Sequence, residues 1–413
     1  MLSAEVINVI KATVPALVAH GETLTRHFYR RMFEGNPETR AFFNPAHQHT
    51  GGQQKALAGA ICAYAQNIEN LGALTGAVEL IAQKHASLGV QPEHYPIVGK
   101  HLLASIREVL GAAATDDVIN AWAAAYGMLA EIFIAREAQI YAGHRKENGA
   151  AGFRPFVVQR KVRESDRITS FYLAPVDGSP LRPHKPGQYV TVRVPTEGEG
   201  TTMRNYSISS RPGRPHYRIS VKRETGLSAS APDGYASNYL HQHVNELGVL
   251  EVGPPCGEFI LKPAGDRSRS LVLISAGVGI TPLLSMLHAA SERRDERDIL
   301  FIHAAVNGDS HAFRREVLQL ADEHPNVRVH FRYSNPTPQD RLQELADSEG
   351  FVDADLLKTL LSERRGEFYL CGPKPFMSDV SAALTTLGVP KSDVSYEFFG
   401  PLQDLTPPQA VAV

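Results

Sequence analysis

The hydrophobic period changes twice along this chain, and that change forces more than one kind of domain. Residues 1 to about 142 carry apolar residues at helical spacing only. Leu57, Ile61, Tyr64 and Ile68 form one stripe, and Val118, Trp122, Tyr126, Leu129 and Ile132 or Phe133 form another. A repeat near 3.6 residues places such side chains on one helix face, whereas a strand alternates at every second residue. Thr115-Asp116-Asp117 supplies a cap and an acidic first turn for the second stripe. Breaks at Gly21, at Gly35-Asn36-Pro37, at Gly51-Gly52, at Gly72 and from Gly89 to Pro92 divide this region into six or more expected helices.

Gly143 to Gly152 is polar, charged and glycine-bearing, and is expected to be a linker over residues 143–152. Beyond it, Phe156–Val158, Ile168–Leu173, Tyr189–Val194, Tyr206–Ser209 and Tyr217–Val221 read as short strands between Pro- and Gly-rich turns. Such spacing predicts a small antiparallel barrel over residues 153–265. From residue 266 to 405, strands at Leu271–Ser275, Ile299–Ala304, Val327–Tyr333, Glu367–Cys371 and Val394–Phe398 alternate with helices. That pattern predicts a doubly wound α/β domain with a parallel sheet, and residues 406–413 form a tail.

Composition excludes several function classes. Charged residues make up 21% and the net charge is −2, with no basic run long enough to follow a phosphate backbone, so nucleic acid is not an expected partner. The three cysteines, Cys62, Cys256 and Cys371, show no C-x-x-C spacing. This removes thiolate zinc sites, iron–sulfur clusters and a disulfide framework, and fits a reducing compartment. Met1-Leu2-Ser3-Ala4-Glu5 lacks a signal peptide's basic and apolar regions. Ser270 to Leu287 has no charge and reaches membrane-spanning length, but Gly277, Gly279 and Pro282 cut it into strand, turn and helix. A cytoplasmic protein without membrane insertion is expected.

Gly277-Val278-Gly279-Ile280-Thr281-Pro282 follows a β-branched strand and opens an apolar helix. Glycines there let a backbone approach a pyrophosphate, and the helix N-terminus offers N–H donors. Cys371-Gly372-Pro373 ends a later strand, and ligands bind outside the carboxyl ends of parallel strands. Taken alone, the first motif is equally a tight turn and Cys371 equally a buried thiol. Together they resemble the ferredoxin–NADP reductase superfamily, which carries both motifs in its nicotinamide domain. Arg204-Asn205-Tyr206-Ser207, Pro186-Gly187-Gln188-Tyr189 and Gly234-Tyr235-Ala236-Ser237-Asn238-Tyr239-Leu240 resemble that superfamily's FAD-binding segments in the right order. The resemblance implies an Arg204 that answers a diphosphate, a Tyr206 against the flavin, a Ser207 on a ring nitrogen, and a diphosphate at the Gly234 helix.

In the helical region His85 stands near the end of a helix and before a break, in Lys84-His85-Ala86-Ser87-Leu88-Gly89-Val90. This segment, with a flavin barrel and a nicotinamide domain after it, resembles the flavohaemoglobins over nearly the whole chain. The resemblance implies a globin with b-type haem, His85 as iron ligand, and Glu137 and Tyr95 as its partners. On the other haem face it implies Tyr29, Gln53 and Leu57, with Phe43 packing on the ring. It also implies a closing strand, Tyr396-Glu397-Phe398-Phe399-Gly400-Pro401, whose Glu397 and second aromatic approach the flavin.

The implied activity is nitric oxide dioxygenation, NO and O₂ to nitrate, driven by NADH or NADPH through FAD and haem in a monomer. Two alternatives stay open at this level: a flavin-dependent reductase of peroxides, quinones or ferric complexes, and an O₂ or NO sensor. Val306-Asn307-Gly308-Asp309-Ser310 leaves the choice between NADH and NADPH open.

Overall fold

The helical spacing of the first third is realised as five α-helices among the described residues: α1 (Ala4–Gly35), α2 (Gly52–Gln66), α3 (Thr75–Leu88), α4 (His94–Leu110) and α5 (Asp116–Asn148), with short 3₁₀ turns at Pro37–Phe42, Leu71–Leu74 and Gly111–Ala113. The structure, a computed structural model, describes residues 2–44, 48, 51–148, 152–196, 200–226, 233–263, 265, 266, 268–292, 297–361 and 365–400. Pro401 and the tail lie outside them.

Gly21, expected as a break, breaks nothing. α1 runs through it, and a Cβ at Gly21 would stand only 3.2 Å from Ala58 Cβ. The glycine marks a close crossing of α1 and α2, not a turn. The expected linker is also corrected. α5 continues through Gly143 to Asn148, and His144 in its last turns is buried with a hydrogen bond to the Pro255 backbone of the next domain. Packing against that domain holds a stretch that composition alone would leave as coil. α5 is also apolar and long enough to cross a membrane over 116–146 by length and composition. In this fold it packs on α1, α3 and α4.

The second region is a six-stranded antiparallel sheet of β1 (Arg154–Arg163), β2 (Ile168–Pro175), β3 (Tyr189–Pro195), β4 (Thr201–Ser207), β5 (Tyr217–Lys222) and β6 (Val249–Val252). The strand order is β4-β3-β6-β1-β2-β5, and a bridge from Ile208 to Ile219 joins the two ends into a barrel. Phe171, Val192 and Ile219 fill its interior, and helix α6 (Tyr235–His243) caps it with Ala236 and Leu240.

The third region is a parallel sheet of β7 (Ser270–Ala276), β8 (Ile299–Ala305), β9 (Val327–Tyr333), β10 (Ser348–Glu349), β11 (Gly366–Cys371) and β12 (Val394–Glu397). Its order is β10-β9-β8-β7-β11-β12, so the chain reverses direction of growth between β7 and β11. Helices α7 (Ile280–Glu292), α8 (Arg314–Glu323), α9 (Pro338–Leu342), α10 (Ala354–Leu361) and α11 (Lys374–Thr386) connect the strands. Two separate apolar clusters cover the two faces of the sheet, one around Leu273 and Leu283 and one around Ile274 and Met377. The strand alternation expected from sequence holds here, with β10 added, as β6 is in the barrel.

Candidate functional site

The site is built along one helix. α3 places His85 three residues before its end, and the Nδ1 of that ring lies 2.7 Å from Glu137 Oε1 on α5. Tyr95 on α4 donates its hydroxyl to the same Oε1 at 2.5 Å. Glu137 is buried, and it is satisfied by these two donors. Burial first, and then the adjacent carboxylate, push the Tyr95 hydroxyl far above its usual value, so it stays a donor. With Nδ1 committed to the carboxylate, Nε2 is the ring nitrogen left to bind a metal.

Tyr29 of α1 is enclosed by aromatic rings. Its ring centroid lies 5.0 Å from Phe28, 5.8 Å from Phe33 and 5.4 Å from Phe43. Burial raises its hydroxyl well above the usual range, and a hydrogen bond with Gln53 pulls the other way. An amide N–H donated to the phenol oxygen has that effect, and leaves the phenol proton free for a ligand. Gln53 Oε1 is already taken by Gln48 Nε2 at 3.1 Å, which turns the Gln53 amide nitrogen toward Tyr29.

The residues present suit a haem on two observations. Phe43, Leu57 and Val98 are apolar yet only half-buried beside the packed interior, so a flat apolar macrocycle has surface to cover. The donor set is one imidazole with a carboxylate behind it, the usual second-sphere arrangement of a histidine metal ligand.

The flavin motif runs along β4. Arg204 and Tyr206 leave β4 on one face; Ser207 lies opposite Tyr189 of β3 on the other, with Asn205. Asn205 therefore stands away from Arg204 and accepts from Thr191 at 2.9 Å instead. Burial lowers the Arg204 guanidinium and raises the Tyr206 hydroxyl. Gly234 caps α6 without a side-chain acceptor, which leaves that helix start open to an anion. Ser237 and Asn238 point inward to this loop, hydrogen-bonding the Gly234 carbonyl at 2.9 and 3.0 Å. They shape the cradle, and neither projects from it.

Glu397 ends β12 beside Cys371 of β11. Its Oε2 is enclosed with no hydrogen-bond partner. Burial pushes the carboxyl up to about 8, against the opposing charge of Lys84. A buried, unpartnered carboxyl oxygen at this place fits a flavin edge that offers a donor. Phe398 is half-buried and Phe399 is 43% exposed, beside Gly400.

The nicotinamide motifs meet at the switch point. A Cβ at Gly279 would run into the Cys371 carbonyl oxygen, so only glycine allows the backbone of β11 to pass the start of α7. Thr281 hydroxyl donates to the Val278 carbonyl at 2.9 Å and holds the turn, while Ile280 and Pro282 are buried in the first turn of α7. Gly372 and Pro373 lead from Cys371 into α11.

Sequence reasoning missed the residues that join the sites. α3 turns His85 to Glu137, and its other side meets the barrel. Gln83 Oε1 accepts from the Gly257 amide at 3.3 Å, and the Ser87 hydroxyl bonds Tyr189. Residues two apart on a helix lie about 200° around it, on opposite sides, and that spacing was the available signal. Arg218 of β5 grips Glu316 of α8 with two hydrogen bonds at 2.8 and 2.9 Å, and no local motif announced it.

Comparison with known proteins agrees with this geometry. A globin family model matches residues 26–133, and an oxidoreductase NAD-binding domain model matches residues 273–382. The chain is 51% identical to a flavohemoprotein of Rhodopirellula baltica, over 98% of this chain and 99% of that one. It is 49% identical to a flavohemoprotein of Bordetella pertussis, over 97% and 99%. A flavohemoglobin of Malassezia yamatoensis, crystallised with bound FAD and heme, superposes with a TM-score of 0.85 at 27% identity, covering 97% of this chain and all of the other. The FAD/NAD-binding domain of a Vibrio cholerae nitric oxide dioxygenase covers 60% of this chain at 34% identity, with a TM-score of 0.52. A globin with a carboxylate-backed histidine, continuous with a flavin barrel and a nicotinamide sheet, therefore makes this chain a member of the flavohemoprotein family.

Proposed function

We propose that this protein is a nitric oxide dioxygenase, an oxidoreductase that converts NO and O₂ to nitrate at the expense of NADH or NADPH. Bound haem supplies the iron where the gases meet, FAD converts hydride to single electrons, and the nicotinamide supplies the hydride. The observation that carries the reading is the Glu137–His85 hydrogen bond at 2.7 Å. A carboxylate behind the imidazole makes it a stronger donor to iron, which favours activation of O₂ over its simple carriage.

The chain's own groups divide the work. His85 Nε2 holds the iron, and Tyr95 fixes Glu137. Tyr29 offers its proton to O₂, Gln53 orients Tyr29, and Leu57 and Phe43 keep water out. Arg204 and the amides at Gly234 hold the flavin diphosphate, Tyr189, Tyr206 and Ser207 contact the ring system, and Glu397 with Phe398 and Phe399 borders it. Gly277 to Pro282 and Cys371 to Pro373 seat the nicotinamide dinucleotide. Its partners are then small molecules only, met in the cytoplasm by a monomer.

Steady-state consumption of NO in air with NADH or NADPH, with nitrate as product, tests this. A sensor would bind NO without turnover, and a general reductase would oxidise the nicotinamide at a rate indifferent to NO. Either outcome would overturn the assignment.

A further inference from the structure

A continuous run of hydrogen bonds joins the flavin motif to the distal side of the haem site. Arg204 Nη2 donates to Asn44 Oδ1 at 2.8 Å, across 160 residues of sequence. The Asn44 carbonyl accepts from the Gln48 amide at 3.1 Å. Gln48 Nε2 donates to Gln53 Oε1 at 3.1 Å, and Gln53 bonds the Tyr29 hydroxyl. Gln48 is fixed from a second side, because Gln54 Nε2 donates to its Oε1 at 2.8 Å. Gln54 is buried, and its own carbonyl is held by the Thr25 hydroxyl of α1 at 2.9 Å. Asn44 sits next to Phe43 in the chain, whose ring packs on Tyr29.

We propose that Asn44 is a positioning residue through which the flavin-binding Arg204 sets the geometry of the distal pair Gln53 and Tyr29. The physical basis is the bonding of Arg204. The same guanidinium group donates to Thr202 Oγ1 and the Met203 carbonyl at 2.8 and 2.6 Å, and Asn44 takes its other nitrogen. A diphosphate bound to this group fixes it by charge-assisted hydrogen bonds. Its grip on Asn44 then steadies the Asn44 carbonyl that accepts from the Gln48 amide, and with it the Gln48 side chain that orients Gln53. Without the diphosphate the guanidinium keeps only its neutral partners Thr202, Met203 and Asn44, and its hold on Asn44 is weaker. Flavin occupancy and oxygen retention are then linked, and linkage is reciprocal: ligand on the haem strengthens flavin binding by the same factor by which flavin raises the affinity of the haem for that ligand.

This rests on the assignment of haem and FAD given above, and its test separates the two. The rate of O₂ release from ferrous haem is measured by stopped flow in wild type, Asn44→Ala and Asn44→Asp, each with FAD bound and after FAD removal. Wild type should release O₂ roughly 3- to 10-fold faster once FAD is gone, the worth of one ordinary hydrogen bond. Asn44→Ala with FAD bound should match flavin-free wild type and show no further response to FAD. Asn44→Asp keeps an acceptor for Arg204 and should restore the response. The Fe–CO stretching band should shift in the same order, a readout that loss of stability alone does not move. An unchanged rate in flavin-free wild type, or an Asn44→Ala protein that still responds to FAD, overturns the coupling. If Tyr29→Phe speeds O₂ release while FAD removal does not, the distal site stands and the coupling alone falls.

Discussion

Glu137 Oε1 stands 2.7 Å from His85 Nδ1, so the His85 imidazole and a buried carboxylate form one unit held on two different helices. Tyr95 completes the unit from a third helix, and its hydroxyl keeps the carboxylate turned toward the ring. Glu137→Gln keeps the size and an acceptor oxygen but removes the charge. Partners in a metal's second sphere are worth about 10- to 100-fold in affinity or activity. NO consumption should fall within that range, and the ferrous iron–histidine stretching frequency should drop. An unshifted frequency would show that the charge does not reach the iron.

His85→Ala should spare the reductase. The globin interior around Leu24 and Trp122 and the barrel interior around Phe171 and Val192 are separate clusters, so loss of the haem ligand leaves the flavin site folded. Reduction of ferricyanide by NADH should persist while NO consumption disappears. Loss of both activities in a variant that retains FAD would contradict the separation.

Tyr29→Phe removes one donor and leaves the ring among Phe28, Phe33 and Phe43. A hydrogen bond to a charged acceptor is worth about 1.5–3 kcal/mol, or roughly 10- to 150-fold in an equilibrium constant. O₂ release from the ferrous protein should accelerate within this range, with flavin reduction by NADH unaltered. A rate equal to wild type would leave Tyr29 as packing only.

Arg218 and Glu316 pin the nucleotide domain to the barrel, with His288 Nε2 adding a bond to Glu316 at 2.6 Å. Burial alone would raise the Glu316 carboxyl; hydrogen bonds from His288 and Arg218, with their charges, hold it down to about 2. A depressed carboxyl stabilises the fold above its unfolded value near pH 4.3, and loses that contribution as pH falls toward 2. Glu316→Gln should therefore lower the thermal midpoint at pH 7 and flatten its decline in acid. Hydride transfer from NADH to FAD should slow as well, because the two sites are no longer held in register. A pH profile identical to wild type would show that this pair does not clamp the domains.

Gly279→Ala drives a methyl group into the Cys371 carbonyl oxygen, side chain against backbone, with no flexible neighbour to yield. Reduction of FAD by NADH should fall by more than an order of magnitude, roughly 1.4 kcal/mol or more in barrier, while the haem spectrum stays native. Normal flavin reduction in this variant would mean that β11 and α7 can part without cost.

Much of this was legible in the chain because its signals are local. Gly277 to Pro282 and Cys371 to Pro373 each occupy one turn at a strand end, so their spacing shows in a short window. Gly21 misled for the same reason: a local rule reads glycine as a break, and its actual cause, Ala58 on another helix, lies outside any window. β6 escaped notice because it has four residues with alternate ones exposed, too short for a period to emerge. Arg218 with Glu316 and Arg204 with Asn44 are pairs 98 and 160 residues apart. Tertiary pairs of charged and amide groups leave no pattern in sequence, and they are the residues that join one site to the next.

Helix α3 turns His85 toward Glu137 on one side and Gln83 and Ser87 against the barrel on the other, so under the proposed assignment it serves two cofactor sites at once. A wall shared in this way makes the path for electrons a property of one rigid rod. No diffusive search between tethered halves intervenes, so internal electron transfer should be indifferent to solvent viscosity and to the concentration of protein. The same sharing restricts exchange of parts during evolution, since a foreign globin can join this reductase only if its own proximal helix carries the matching outer face.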